Sequence, residues 1–175
     1  MAATCARSSR RVFMSCGLFK ENVESVAGHC VLTTDVADVL RQIIADLRAE
    51  RIAVSDAPEL AGFGVVPDKS DLFNFEVGIT RAQAGIAETG TLVLDSSCER
   101  NRLVSVVPPV HIAIVAASRI YPTLADVLAM LQSGKEVSPA ITFITGPSRT
   151  VDIELTLTIG VHGPQELYVI IDESA

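Results

Sequence analysis

An acidic side chain and two hydroxyls lie together on one short turn of the sequence. The run Ala82–Leu94 reads AQAGIAETGTLVL, with Glu88, Thr89 and Thr91 just before an apolar stretch. Gly90 can adopt a positive φ, which allows a tight turn at this point. A carboxylate on such a turn can act as a nucleophile or as a general base. The alternative is a structural turn in which the threonines cap the backbone and the carboxylate pairs with a nearby arginine.

A second polar turn carries an arginine. It reads GPSRT at residues 146–150 and is followed by Asp152 and Glu154. Successive backbone N–H groups in such a turn can surround an anion, and Ser148, Arg149 and Thr150 add donors for a phosphate or a carboxylate. The alternative is a structural clamp in which the guanidinium pairs with one of the following acids. We favour the binding interpretation, although the spacing is not that of a P-loop.

Two histidines are candidate general bases or ligand contacts. Arg102 and His111 lie on either side of a rigid Pro-Pro pair, and His111 begins an apolar run. A hydrogen-bonded structural histidine is the commoner outcome at such a position. His162 lies in the loop GVHGP, whose glycines allow close approach of a ligand. A G-x-S-x-G motif is absent from the sequence, which argues against a serine hydrolase.

Hydrophobic periodicity predicts the elements that position these turns. The run Asp35–Glu50 has apolar residues at helical spacing, and Thr34 is its expected N-cap. Short apolar runs at Val26–Leu32 and Ile52–Val54 flank this helix and have the length of strands. Strand, helix and strand in this order predict a parallel, right-handed β-α-β unit.

The second half of the chain repeats this pattern. A helix is predicted at Thr123–Ser133, between apolar runs at His111–Ala116 and Ala140–Ile144, which predicts a second β-α-β unit. Alternating apolar and polar residues predict one strand at Val151–Ile159. Further strands are predicted at Phe75–Thr80, Thr91–Leu94 and Leu167–Ile171. The expected fold is therefore α/β, an open, mostly parallel sheet flanked by helices, with ligand-binding loops beyond the strand ends.

Composition restricts the class of protein. The chain has 175 residues, of which 49% are hydrophobic, 20% charged and 5% aromatic, as in a single globular domain with an aliphatic core. A net charge of −7 argues against nucleic-acid binding, because phosphates attract a cationic surface. Since no uncharged run approaches the roughly 20 residues that span a bilayer, no membrane segment is expected.

The first 20 residues differ from the rest in charge, because they contain four basic residues and no acid. This is the pattern of a transit peptide or of a frayed N-terminus, and we favour the second. Residues 1–20 are therefore treated as a separate segment, disordered or helical, and residues 21–175 as one α/β domain.

The cysteines are scattered, and none forms a C-x-x-C pair; they are Cys5, Cys16, Cys30 and Cys98. Such spacing supports neither a structural zinc nor an iron–sulfur cluster within the chain. No metal and no cofactor are expected.

Four segments of the sequence together resemble the lactate-utilisation (LUD) domain family. They are GIAETGTLVL (Gly85–Leu94), RLVSVVPPVHI (Arg102–Ile112), GPSRTVDIE (Gly146–Glu154) and GVHGP (Gly160–Pro164). The resemblance runs from about Phe75 to Ile171, with the segments in the family's order. It implies an α/β fold of the NagB/RpiA/CoA-transferase-like type, related to 5-formyltetrahydrofolate cyclo-ligase.

The same resemblance implies a bacterial, cytoplasmic protein that works beside iron–sulfur proteins in oxidising L-lactate to pyruvate. Its expected role is that of an accessory component, a homodimer or a heteromer, that binds a small anionic metabolite through the two turns. The alternative is a transferase or cyclo-ligase-like enzyme in which Glu88 is the catalytic carboxylate. Class I CoA-transferases use a loop glutamate followed two residues later by glycine, as in Glu88-Thr89-Gly90.

Overall fold

Three helices and eleven strands form within residues 2–68, 70–97, 101–133, 138–151, 157–159 and 162–175, which the computed structural model describes. The helices are α1 (Ala2–Ser25), α2 (Val36–Leu47) and α3 (Leu124–Gln132). The strands are β1 (His29–Thr33), β2 (Ile52–Val54), β3 (Val77–Ala82), β4 (Ala84–Ile86), β5 (Thr91–Asp95), β6 (Val110–Ala116), β7 (Ile120–Tyr121), β8 (Ile141–Thr145), β9 (Arg149–Val151), β10 (Leu157–Ile159) and β11 (Glu166–Asp172).

Five of these strands form an all-parallel central sheet in the order β1-β11-β6-β3-β2. The connection through α2 crosses from one edge of the sheet to the other, and the later strands return one position at a time. Because parallel crossovers are right-handed, this reversal places α2 and the connections that follow β3 and β6 on opposite faces. In the connection between β2 and β3, Leu60 and Phe63 pack on the α2 side. The face of Ile112 and Ile114 packs against α2, and the face of Ala113 and Val115 packs against α1 and β5.

Four other strands form a second sheet in the order β7-β4-β5-β8. In this sheet β5 is antiparallel to both of its neighbours, β4 and β8. Val127 of α3 is buried in a cluster with Ala84, Ile86 and Val93, so α3 covers the side of this sheet that faces away from the central sheet. The remaining strands, β9 and β10, form an antiparallel pair.

Helix α1 is joined to the core by one apolar stripe. Cys16, Phe19 and Val23 follow helical spacing, and each side chain is at most 2% exposed. They belong to the same core cluster as Leu92 and Val115. A single helix therefore runs across the boundary expected at residue 20.

Helix α2 confirms the clearest of the predicted elements. Its N-cap is Asp35, whose carboxylate accepts a hydrogen bond of 3.0 Å from the Asp38 N–H, and Thr34 does not cap it. The helix ends at Leu47 because Arg48 adopts a left-handed conformation with φ of 53°. No helix in the described part of the chain is long and apolar enough to cross a bilayer.

One prediction about strand pairing was wrong. The second expected β-α-β unit does not exist, because β6 lies in the central sheet whereas β8 pairs antiparallel with β5 in the second sheet. Local periodicity identifies a strand but carries no information on its partner, which is why this error arose. The strand predicted at Val151–Ile159 includes the last residue of β9 and all of β10, which pair antiparallel, and residues 152–156 lie outside the described part.

Candidate functional site

The two predicted turns lie side by side at one end of the second sheet. We call residues 88–91 the acidic turn and residues 146–150 the arginine turn. Thr91 opens β5 directly opposite Thr145, the last residue of β8. The Thr91 hydroxyl lies 2.7 Å from the hydroxyls of both Thr89 and Thr145, so three hydroxyls form one hydrogen-bonded chain. This chain leads from the acidic turn to the residue that precedes Gly146.

Both turns pack against the C-terminal end of α1, and both need a glycine there. Gly90 has a φ of +63°, and a Cβ atom on it would lie 2.5 Å from the Val23 nitrogen. Gly146 has a φ of +71°, and a Cβ atom on it would lie 2.8 Å from the Val26 carbonyl oxygen. The left-handed backbone and the close approach each exclude a larger residue. The end of α1 therefore fixes the two turns relative to each other.

Glu88 is exposed and lies at the start of α3. Its Oε1 accepts a hydrogen bond of 2.7 Å from the Leu124 N–H, the first residue of that helix. A carboxylate is favoured at this position because the N-terminus of a helix carries partial positive charge. Glu88 forms no ion pair with the described residues, so its structural partner is a helix and not the arginine of the alternative interpretation.

Arg149 is also exposed, and it lies at the C-terminus of a helix, whereas Glu88 lies at an N-terminus. Its Nη2 donates a hydrogen bond of 2.7 Å to the carbonyl oxygen of Val26, just beyond the last residue of α1. A guanidinium is favoured there because the C-terminus of a helix carries partial negative charge. The predicted contacts to Asp152 and Glu154 concern residues outside the described part of the chain. Thr150 lies in β9.

A third loop packs on the arginine turn. The Ser148 N–H donates a hydrogen bond of 2.8 Å to the carbonyl oxygen of Pro164. A Cβ atom on Gly163 would lie 3.1 Å from the Ser148 Cβ, so the two loops are in close contact. His162, at the beginning of this loop, is exposed. The predicted residues Ser148, Arg149 and His162 therefore lie on neighbouring loops.

His111 does not share this exposed location. It is fully buried in β6, and its Nε2 lies 2.8 Å from the Thr80 hydroxyl oxygen. Burial lowers the pKa of His111 to about 4, so the imidazole is neutral near pH 7. Its Nδ1 has no hydrogen-bond partner among the described residues. In this conformation the buried ring does not reach a ligand in solution, which favours the structural, hydrogen-bonded histidine over a general base at this position.

Arg102 is exposed on a short 3-10 helix, Arg102–Ser105, between β5 and β6. That helix packs on β3 and β6 rather than on the two turns. Among the described residues, no contact brings Arg102 into the candidate site.

Another group of charged residues lies at the carboxyl end of the central sheet, and the sequence analysis did not single it out. Arg81, near the end of β3, lies 3.0 Å from a Glu59 carboxylate oxygen and 4.0 Å from a carboxylate oxygen of Asp172 at the end of β11. The signal was present in the sequence, because Arg81 is the last but one residue of β3 and Asp172 the last residue of β11, and both strands are mostly apolar. Within the described residues, no group of three or more His, Cys, Asp or Glu side chains could hold a metal ion.

The fold and these sites define an α/β domain. Its two groups of candidate polar residues lie at opposite ends of the central parallel sheet. The model of the LUD domain matches residues 68–171, which is more than half of the sequence. The chain belongs to the LUD domain family.

Several relatives and one solved structure are similar to the chain. An uncharacterized protein of Neisseria meningitidis serogroup B is 36% identical over 141 residues, which cover 79% of this chain and 58% of that protein. Lactate utilization protein C of Macrococcus caseolyticus is 30% identical over 161 residues, covering 81% and 70%. Lactate utilization protein C of Bacillus subtilis is 41% identical over 102 residues, covering 55% and 42%.

The crystal structure of a DUF162 family protein from Deinococcus radiodurans has the same fold, with a TM-score of 0.69 at 24% identity over 91% of this chain and 97% of that one. The chain spans only 58% of the length of the Neisseria protein and 42% of the Bacillus subtilis protein.

Proposed function

We propose that the chain takes part in lactate utilisation, as an accessory component in the cytoplasm that works beside iron–sulfur proteins oxidising L-lactate to pyruvate. Membership of the LUD domain family supports this role, as do the several relatives named lactate utilization protein C. The role assigned to the chain is to bind a small anionic metabolite, as one copy or as a homodimer.

The proposed binding site consists of the acidic turn, the arginine turn and the neighbouring loop of His162. The observation that carries it is the chain of three hydroxyls through Thr89, Thr91 and Thr145, because it joins the two turns. Arg149 is exposed, and among the described residues its guanidinium donates one hydrogen bond, to the Val26 carbonyl oxygen, so guanidinium donors remain for an anion. An arginine beside several hydroxyls is suited to a carboxylate or a phosphate.

Glu88 separates this proposal from the enzymatic alternative. Its carboxylate is exposed and is held by the Leu124 N–H, so its position is fixed before any ligand binds. This fixed position favours a transferase or cyclo-ligase-like function as the second candidate. In that function Glu88 is the catalytic carboxylate, and Arg149, Ser148 and Thr150 hold the anionic group of the substrate.

Amide chemical shifts of the full chain, titrated with L-lactate and separately with pyruvate, test the proposed site. We expect saturable shifts at Gly90, Ser148 and Arg149, and a loss of these shifts in Arg149→Gln. Arg48→Gln is the matched control, because Arg48 is an exposed arginine at the end of α2. Saturable shifts elsewhere, with the two turns unaffected by either anion, would contradict the assigned site.

Turnover assays distinguish the two candidates. The accessory role predicts no turnover of lactate, CoA esters or folates by the isolated chain, and co-purification with iron–sulfur proteins. The enzymatic alternative predicts turnover that Glu88→Gln abolishes with the thermal midpoint nearly unchanged.

A further inference from the structure

A cleft of about 480 Å³ opens at the carboxyl end of the central sheet, away from the two turns. Ala82 and Ala116, near the ends of the adjacent strands β3 and β6, form its floor, and Met130 and Leu131 of α3 form an apolar wall. Its volume is in the range of small-molecule sites. Its position is also the usual one, because ligands of open α/β sheets bind beyond the carboxyl ends of the strands.

The charged side chains in the described lining of this cleft are two arginines and one acid. Arg81 and Arg119 line it together with Asp95, and Ala175 also lies in the lining. Oδ1 of that acid already accepts hydrogen bonds from the Ser97 N–H, the Ser97 hydroxyl and the Ser138 hydroxyl. The Asp95 carboxylate is therefore held by serine donors from two loops, and in the described part of the chain it forms an ion pair with neither Arg81 nor Arg119.

Arg81 is held in place before any ligand arrives. Its side chain is 32% exposed and is flanked by Glu59 at 3.0 Å and Asp172 at 4.0 Å. An arginine fixed by neighbouring carboxylates loses little side-chain freedom when it binds an anion. Arg119 is exposed and forms no ion pair with the part of the chain described. One anchored and one free guanidinium can close on a carboxylate from two sides.

A second cleft, of about 290 Å³, shows why the larger one is the anion site. It lies on the other side of Arg81, beside the start of α2, and its lining includes the carboxylates of Asp35, Glu59 and Asp172. Three acids against one arginine repel an anion there. In the larger cleft the acids that flank Arg81 are not part of the lining.

We infer that the 480 Å³ cleft binds a small organic carboxylate, with the carboxylate held by Arg81 and Arg119 and a short apolar chain against Met130 and Leu131. The flexible methionine side chain adapts to apolar groups of different shape. This site lies at the end of the central sheet opposite the proposed turn site, and it does not depend on that proposal.

Isothermal titration calorimetry of the full chain with butyrate, pyruvate and inorganic phosphate at constant ionic strength tests the inference. We expect saturable binding of butyrate and pyruvate, about tenfold or more weaker in both Arg81→Gln and Arg119→Gln, because each loses a charged hydrogen bond. Arg119→Gln keeps the test valid if Arg81→Gln unfolds, since Arg119 holds no partner within the described residues. Arg48→Gln, at an exposed arginine far from both proposed sites, should bind butyrate as the wild-type chain does.

Several results would overturn the inference. One is the absence of saturable carboxylate binding below about 10 mM. Another is unchanged affinity in Arg119→Gln. Phosphate binding that is tighter than butyrate binding and is weakened in Arg119→Gln would refute the proposed carboxylate ligand and the role of the apolar wall. Binding that is lost in Arg149→Gln but kept in Arg119→Gln would assign the carboxylate to the turn site instead.

Discussion

A single buried imidazole links the stability of this domain to pH. His111 has a pKa near 4 in the folded chain, because burial disfavours its charged form, against 6.5 for an unperturbed histidine. Between these values the unfolded chain binds a proton that the folded chain does not bind. The contribution of His111 to the free energy of unfolding is therefore fully present above pH 6.5 and is lost as the pH falls toward 4.

The His111→Gln variant isolates this effect. The shift corresponds to about 3 kcal/mol at most, from 1.36 kcal/mol for each unit of pKa. Between pH 7 and pH 4.5 the wild-type chain should lose more of its unfolding free energy than His111→Gln does, in urea titrations at each pH. Parallel pH profiles for the two proteins would show that the histidine titrates normally in the folded state.

Gly90 is the second residue whose type the structure dictates. Its positive φ and the 2.5 Å approach of a Cβ atom to the Val23 nitrogen both oppose a side chain. Gly90→Ala should lower the unfolding free energy by about 1–3 kcal/mol. The control is Gly17→Ala, at an exposed position of α1 with open space around it, where alanine should stabilise the helix by up to about 1 kcal/mol. Equal effects of the two changes would refute this account of the turn.

Helix α2 shows how closely an element can be predicted from sequence. Its apolar stripe identified the helix, because the residues that pack on the central sheet recur at helical spacing. The cap was missed, because Thr34 and Asp35 are both good N-cap residues and only the backbone decides between them. The pairing of β8 was missed for a related reason, since a strand's partner is set by contacts distant in sequence.

The cap assignment is testable by two neighbouring substitutions. Asp35→Ala should lower the unfolding free energy by about 1 kcal/mol, because the Asp38 N–H loses its acceptor. Thr34→Ala, one residue earlier and exposed, should change it by less than about 0.5 kcal/mol. Thermal and urea unfolding of both variants measure the difference, and a larger loss in Thr34→Ala would restore the cap predicted from sequence.

The whole molecule places its candidate sites at opposite ends of one parallel sheet. The arginine turn packs on the loop before β11 and on the end of α1 before β1, whereas Arg81 and Asp172 lie at the ends of β3 and β11. The sequence predicted the two turns and their polar residues. It could not predict that they meet through Thr91 and Thr145, because that contact depends on the pairing of β5 with β8.

The sequence also did not predict the cluster of Arg81, Glu59 and Asp172. These residues are far apart along the chain and come together only because β2, β3 and β11 point the same way. His111 was the reverse case, a residue with suitable chemistry that the fold encloses. Residue type thus indicated which side chains could bind a ligand or act as acids and bases. The order of the strands decided which of these side chains reach solvent.

Growth on L-lactate as the sole carbon source tests the central proposal most directly. The chromosomal copy is deleted, or replaced by Arg149→Gln or by the control Arg48→Gln, and each strain is also grown on a carbon source that bypasses lactate oxidation. Participation in lactate utilisation through the arginine turn predicts that the deletion and Arg149→Gln fail on L-lactate alone, while Arg48→Gln grows normally. Normal growth of the deletion strain on L-lactate would contradict the proposed function.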